Sequence, residues 1–121
     1  MPEVLDSILL SIKKLNNIVP EYTAFDNDFI MYINGALSDL NQLGIGPSEG
    51  FEITGEDELW EDFLDDSPIY NRVKTYIGLH VRLSFDPPAT SFAITMMKDQ
   101  LQEQAWRLVA AQEDIDSQEN V

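Results

Sequence analysis

The chain has 121 residues, no cysteine, and 22 acidic against 7 basic residues, for a formal net charge of −15. This length suits one domain around a single core, and a chain without cysteine has no disulfide bond, thiolate metal site or cysteine nucleophile. So large an acidic excess opposes binding to DNA phosphates and anionic lipids, and it favours basic protein surfaces as partners.

The first third of the chain predicts two amphipathic helices. Residues 3–15 carry apolar side chains at helical spacing, with acids early and two lysines late, an order that suits the helix dipole. A second helix starts within residues 23–26, runs to Leu43 and stops at Gly44, a residue type suited to helix C-termini. Each helix has one apolar face, so both are expected to pack on a core built by later elements.

A glycine-rich segment and an acidic segment follow. Residues 44–55 hold four glycines and a proline, and they predict a loop, with a short strand or β-hairpin as the alternative. Residues 56–66 place four large apolar side chains at helical spacing among seven acids and no bases. A short acidic helix lying over the core is therefore expected.

The rest of the chain predicts a helical hairpin. Ser67 and Pro68 suit a helix start, and the apolar side chains that follow cover most of the helix, which is typical of a buried one. Pro87 stops this helix, and Pro88 can open the next, whose apolar residues fall at near-heptad spacing. The helical pattern weakens after Leu108.

The predicted fold class is therefore mainly α, a small bundle of four or five helices built on a long αα-hairpin. We expect a single helical domain over residues 1–112 and a mobile acidic tail over residues 113–121, because the tail has too little apolar surface to offset its ordering entropy. No apolar run approaches the roughly 18 residues of a membrane span, and the N-terminus lacks a basic leader. We expect a protein made in a cytoplasm, with no membrane partner.

Candidate catalytic and metal-binding residues are few. His80 is the single histidine, and we expect it to be a hydrogen-bonded core residue because the sequence places no nucleophile or carboxylate beside it. Residues 26–28 begin like an EF-hand loop, but Met31 and Leu37 stand where that loop needs glycine and glutamate. The glycines of residues 44–50 lack the Gly-Lys-Ser/Thr ending of a phosphate loop. We expect no enzyme, no cofactor and no metal site.

The acidic run over residues 49–66 holds nine acids and no base. It can be a solvated face, a surface that DNA slides past, a docking site for a basic partner, or a mimic of DNA. On the last helix, Trp106 falls off the apolar seam and, with Phe92 and Val109, predicts a second apolar face that a neighbour would cover. Five bases lie on the hairpin, away from the acidic run, a polarity that suits head-to-tail contacts closing into a ring: Arg72, Lys74, Arg82, Lys98 and Arg107.

Several segments occur in an order typical of one family. The most specific are LGIGPSEG at residues 43–50 and RLSFDPP at residues 82–88; SILLSIKKLNNI, EYTAFDNDFIMYIN and WEDF accompany them. Over about residues 7–110 the chain resembles the tailed-bacteriophage head-tail connector proteins, also described as head completion or DNA-packaging adaptor proteins.

The resemblance implies a non-enzymatic virion protein at the head-tail interface. Such an adaptor forms a ring with copies of itself under the portal protein, extends the DNA channel, and offers a platform to the next connector or tail-completion protein. It implies that DNA passes without adhering, along acidic walls whose candidates here are Glu56, Asp57, Glu58, Glu61 and Asp62. It places the portal contact in the C-terminal segment, residues 106–121, and the candidate portal or subunit contacts are Phe92, Trp106, Arg107, Val109 and Ile115.

The alternative function is that of an acidic inhibitor that mimics DNA and occupies the basic cleft of a host DNA-binding protein. A mimic would display acids at phosphate-like spacing over a long face, whereas a connector would bury aromatic and apolar residues between subunits. The apolar face near Phe92 and Trp106 favours the connector.

Overall fold

The computed structural model describes residues 6–64 and 69–119. Over these ranges it contains five helices and no strand. They are α1 (Ile8–Leu15), α2 (Asp26–Gln42), α3 (Trp60–Phe63), α4 (Tyr70–Phe85) and α5 (Ser91–Glu119). The predicted small helical bundle is confirmed, and the glycine-rich segment is a loop without a β-hairpin. The predicted helix start at Ser67 and Pro68 lies outside the described residues.

Helix α4 is the centre of the bundle, because it packs against α1, α2 and α5. Its residues Val73, Ile77 and Val81 are fully buried. The helix ends at Phe85 because Pro87 removes a backbone donor and pushes Asp86 out of the helical region. The sequence-based expectation of a buried helix followed by a proline corner is confirmed.

Helices α1 and α2 cover one side of α4. Ser7 caps α1, since its hydroxyl accepts a hydrogen bond from the backbone N–H of Leu10 at 3.3 Å. The apolar face of α1 and that of α2 are both buried in the same core cluster. Helix α2 keeps an exposed polar side, as its spacing predicts. The expected half-buried α1 is wrong, because residues 8–13 are all buried, including the polar Ser11 and Lys13.

Helix α5 is the long outer element, with 29 residues and a length of about 43 Å. It packs chiefly against α4. It begins at Ser91 and not at Pro88, and the Thr90 hydroxyl accepts from the N–H of Ala93 at 3.1 Å, so Thr90 serves as the cap. Its buried side carries Met97, Leu101 and Leu108.

The end of α5 corrects one boundary of the prediction. The helix does not fade near Leu108 but continues to Glu119, and Ile115 packs against the core. Ile115 follows Leu108 by seven residues, as Leu108 follows Leu101, so the seam continues one heptad further than expected. Residues 113–119 are therefore helical, and the mobility of the tail stays a prediction.

Candidate assembly surfaces

The acidic segment is fastened to the start of α1 by its backbone. The hydroxyl of Ser7 donates to the carbonyl of Glu56 at 2.7 Å, and the N–H of Ile8 donates to the carbonyl of Glu58 at 3.1 Å. The N–H of Trp60 donates to the carbonyl of Asp6 at 3.0 Å. These bonds hold the acids at one fixed place on the bundle.

Two aromatic side chains anchor the same segment in the core. Trp60 is 2% exposed, and its Nε1 donates to the Ser11 hydroxyl at 2.8 Å. The indole also meets Tyr70 edge to face, with ring centroids 5.6 Å apart. Phe63 is buried beside Phe51. The apolar side of the short acidic helix therefore faces inward, as its spacing predicts.

The candidate channel acids divide into two groups, and the first consists of Glu58 and Asp62. The Glu58 carboxylate accepts from the N–H and the hydroxyl of Thr54, both at 2.8 Å, and from the N–H of Gly55 at 3.3 Å. Desolvation raises the pKa of Glu58, but these hydrogen bonds outweigh it and leave the pKa below its usual value. Asp62 accepts from the N–H of Leu59 at 2.9 Å and caps α3. Both acids hold their own loop.

The second group consists of Glu56, Asp57 and Glu61. Asp57 and Glu61 are exposed and Glu56 is half-buried. Within residues 6–64 and 69–119, no hydrogen bond or ion pair engages the side chains of these three acids. They are the members of the predicted set whose carboxylates have no partner in the described part of the subunit.

Asparagines on α2 hold the glycine-rich loop, a role that the sequence-based reasoning missed. Asn34 accepts from the N–H of Ile53 at 2.8 Å and donates to its carbonyl at 3.0 Å. Asn41 donates to the carbonyl of Pro47 at 3.0 Å. The loop and α2 enclose a cleft of about 230 Å³ whose rim carries Glu49 and Glu52. The sequence did contain a signal for this role. Two asparagines occupy polar positions of the predicted helix, and a glycine-rich loop follows that helix directly.

On the side opposite its core face, helix α5 carries three exposed apolar residues, with the exposed acids Asp99 and Glu103 between the last two. Phe92 is 76% exposed, Trp106 is 72% exposed, and Met96 lies between them, also exposed. Phe92 and Trp106 are fourteen positions apart, so they lie within about 40° of each other around the helix and about 21 Å apart along it. We call Phe92, Met96 and Trp106 the α5 stripe.

The other predicted contact residues lie elsewhere on α5. Arg107 is exposed and pairs with Glu103 at 2.8 Å within the same helix. Val109 is half-buried beside the stripe. Ile115 follows Trp106 by nine positions, about 180° around the helix, and packs against the subunit's own core. The structure groups Phe92 and Trp106 and separates Ile115 from them.

A second exposed apolar surface lies at the turn between α1 and α2, and the sequence-based reasoning missed it. Val19 is 61% exposed, and Leu15, Tyr22 and Phe25 are also exposed. An open groove of about 500 Å³ lies here, lined by Lys14, Asn17, Ile18, Val19 and Pro20. Apolar residues concentrated in a loop were the signal that could have revealed it.

Two of the five bases of the hairpin, Lys74 and Arg72, make contacts within the subunit. Lys74 Nζ lies about 6 Å from the ring centroids of Trp60 and Tyr70. Burial and the nearby charge of Lys14 lower the pKa of Lys74, and Asp6 opposes them. Arg72 donates to Gln104 of α5 at 3.2 Å. The separation of acids and bases that suggested head-to-tail contact is therefore incomplete, because Lys74 lies beside the acidic helix.

His80 lies between α4 and α2 and is partly buried. Its Nε2 is 2.9 Å from the Asp39 carboxylate, and its ring lies beside Tyr76. The expected hydrogen-bonded histidine is confirmed, but the expectation that no carboxylate lies nearby was wrong, because Asp39 is 41 positions away in sequence. In the described part of the chain, no group of three or more metal-ligating side chains comes together.

A family model described as Phage connector protein matches residues 8–114. The chain has no match among curated proteins or among solved structures. None of the helices in the described ranges is long and apolar enough to cross a membrane.

Proposed function

Because the chain belongs to the phage connector protein family, we propose that it assembles as a ring under the portal, extends the DNA channel and links the head to the tail. The family is structural and not known as enzymatic, and its members are virion components that interact with portal and tail components. The ring, the channel and the identity of the contacting surfaces are the proposal.

The observation that carries the proposal is the α5 stripe. A phenylalanine and a tryptophan, each more than two-thirds exposed, lie on one side of the outermost helix. Large aromatic side chains are enriched at the centres of protein interfaces, so two of them exposed on one side of a helix support a contact site there. A ring in which each subunit covers the stripe of its neighbour, or a portal that covers all of them, would bury these side chains.

We further propose that Glu56, Asp57 and Glu61 face the channel. An anionic wall repels DNA phosphates, so DNA would not adhere during packaging or ejection. Asp57 and Glu61 are the residues to test, because Glu58 and Asp62 also hold the loop and their replacement would disturb it.

The first experiment is co-sedimentation of the protein with portal rings of the phage that encodes it, followed by microscopy of the shifted fraction. Co-migration as a coaxial ring is the expected result. A protein that stays folded at the top of the gradient, with empty portals and with filled heads alike, would refute the connector role for this chain.

The channel proposal has its own test with a matched control. The double variant Asp57→Lys/Glu61→Lys is expected to bind the portal normally but to slow DNA ejection, because it places cations on the wall. The control is Asp28→Lys/Asp86→Lys, which makes the same charge change at exposed positions outside both the acidic segment and the C-terminal part of α5. Ejection at the wild-type rate from rings of the first variant would remove the acidic-wall proposal.

The C-terminal end of α5 is the proposed portal contact. Truncation at residue 113 would also remove Ile115 from the core, so the cleaner deletion begins after Ile115. Loss of portal binding with unchanged thermal stability is the expected result. Unchanged portal binding by this variant would show that the portal contact lies on another surface.

The alternative, a DNA mimic, requires a long continuous row of free acids. Glu58 and Asp62 interrupt such a row because their carboxylates accept hydrogen bonds from their own loop. The exposed aromatic side chains of α5 have no role in a mimic. These two observations favour the connector.

A further inference from the structure

The groove at the turn between α1 and α2 has apolar walls and one cation at its edge. Ile18, Val19 and Pro20 form the walls, and Lys14 lies at the edge. The groove has a volume of about 500 Å³ and is open to solvent. Lys14 has no ion-pair partner in the described ranges.

Several contacts hold the groove in shape. Lys13 Nζ donates to the carbonyl of Pro20 at 3.1 Å and lies 2.7 Å from the Asp26 carboxylate. The N–H of Ile18 donates to the carbonyl of Lys13 at 2.9 Å. Asn17 adopts a positive φ of 65°, which turns the chain tightly there. A groove fixed in advance loses little entropy when a partner binds.

Trp106 is the larger of the two exposed aromatic side chains of α5. It is a large apolar side chain that is 72% exposed. Glu103 lies one turn before it and pairs with Arg107 of the same helix, whereas Asp99, two turns before it, has no ion-pair partner in the described ranges; both acids are exposed on the same side of α5. Asp99, Glu103 and Arg107 together give the surface around the indole one net negative charge, and the groove carries Lys14.

The groove and Trp106 lie on different sides of α4 in one subunit. A methyl group at Gly78 would lie 3.0 Å from Leu15 Cδ1, so this position of α4 faces the end of α1. Arg72, six positions earlier and about 120° around the helix, reaches Gln104 of α5. The two surfaces are separated by α4, so they can meet only between copies.

We propose that Trp106 of one copy inserts into the α1–α2 groove of the next copy, with Lys14 facing Glu103. This contact rests on the proposed ring function and names its subunit interface. It joins two different surfaces, so it is heterologous and repeats from copy to copy until a ring closes. Subunits with a net charge of −15 repel one another, and a contact that sets a lysine against acids selects this orientation over others. The lysine can also lie against the indole face.

The cysteine-free sequence allows a direct test by cross-linking. The double variant Lys14→Cys/Glu103→Cys, bound to portal rings and mildly oxidised, is expected to form a ladder of disulfide-linked oligomers. Each single variant is expected to stay uncross-linked, since the contact pairs unlike surfaces. The matched control is Lys14→Cys/Lys98→Cys, in which the second cysteine is on α5 but about 140° away from position 103.

The outcomes separate this inference from the proposed function. If a ring binds the portal and the double variant forms no ladder, the contact is wrong and the connector role stands. Dimers formed by either single variant would also overturn it, because they would show like surfaces meeting. If no protein binds the portal, both proposals fail together.

A second variant covers the case in which the introduced cysteines prevent assembly. Trp106→Ala is expected to weaken subunit association by about 30-fold or more, as at an interface hot spot. Met31→Ala is the control, since Met31 is an exposed apolar residue on α2, outside both surfaces. Equal association of the two variants would overturn the inference.

Discussion

Lys13 Nζ lies 2.7 Å from Asp26 Oδ1, and the lysine side chain is fully buried. Lys13 is in the last turn of α1 and Asp26 is in the first turn of α2, so each charge also suits the dipole of its own helix. The pair joins the ends of two helices across an exposed loop. It thereby shapes the groove that we propose as a subunit contact.

Replacement of Asp26 by asparagine is expected to destabilise the fold by about 2–4 kcal/mol, because it leaves the Lys13 charge buried without a counter-charge. This loss in the free energy of unfolding is no larger than the loss expected when a fully buried ion pair is broken, since the Asp26 side chain is 27% exposed. Urea unfolding followed by circular dichroism measures the loss. Lys14→Met, a change at the neighbouring exposed lysine, should stay within about 0.5 kcal/mol of wild type. Equal losses in the two variants would contradict a special role for the buried pair.

Replacement of Gly46 by alanine is expected to cost about 2–4 kcal/mol. Its φ of 87° is unfavourable for other residues, and the added methyl group would collide with the Phe63 ring. Gly35→Ala is the matched control, since Gly35 lies in α2 with open space around it and should gain about 0.5–1 kcal/mol. Thermal unfolding of the two variants should therefore shift in opposite directions. A stabilised Gly46→Ala variant would mean that the loop is not held against α3.

The hydrogen bonds to Glu58 make part of the stability depend on pH. The folded-state pKa is below the unfolded value, so this contribution is fully present above the usual glutamate pKa of about 4.3 and is lost as the pH falls through the lower folded pKa. Glu58→Gln should lose about 1 kcal/mol at neutral pH, and its difference from wild type should shrink in acid. Glu61→Gln, at an exposed acid, serves as the control. A difference that stays constant down to acidic pH would show that charge is not involved.

The two tryptophans report on different surfaces. Trp60 is 2% exposed and Trp106 is 72% exposed, so acrylamide should quench Trp106 strongly and Trp60 weakly. The variant Trp60→Phe leaves Trp106 as the single probe, and its quenching should fall when the protein joins a portal-bound ring. The variant Trp106→Phe should show weak quenching before and after assembly. Undiminished quenching of Trp106 in the ring would place it outside every contact.

Much of the fold could be predicted because its signals are local. Gly44 and Pro87 act on the backbone within a few residues of themselves, so the ends of α2 and α4 follow from nearby sequence. The first helix was expected to start at residue 3, but Asp6 and Ser7 are not helical, and Ser7 caps a helix that begins at Ile8. The glycines of residues 43–50 that contributed to the resemblance also have a local reason, because Gly44, Gly46 and Gly50 all adopt positive φ. The end of α5 did not follow from composition, because the residues after Ala111 are mostly polar although Ile115 holds a heptad position and packs against the core.

The candidate surfaces could be predicted only in part. The period of apolar residues indicated that Phe92 and Trp106 lie off the core seam, and the structure places both in solvent. The spacing of apolar residues could not show that the Glu58 carboxylate is hydrogen-bonded to its own loop whereas Glu61 is exposed. It also could not reveal the groove beside Val19, since a loop has no period.

The sequence by itself determined the helical class, the proline corner and the inward sides of α2, α3 and α5, because spacing and backbone chemistry act over one or two turns. Only the tertiary structure decided which side chains meet. His80 and Asp39 are 41 positions apart, and Trp60 and Ser11 are 49 apart. Periodicity tells which side of a helix is buried, but the packing of α4 against its three neighbours decides what that side touches. The same packing leaves Trp106 and the α1–α2 groove on separate sides of one subunit, where only another copy can join them.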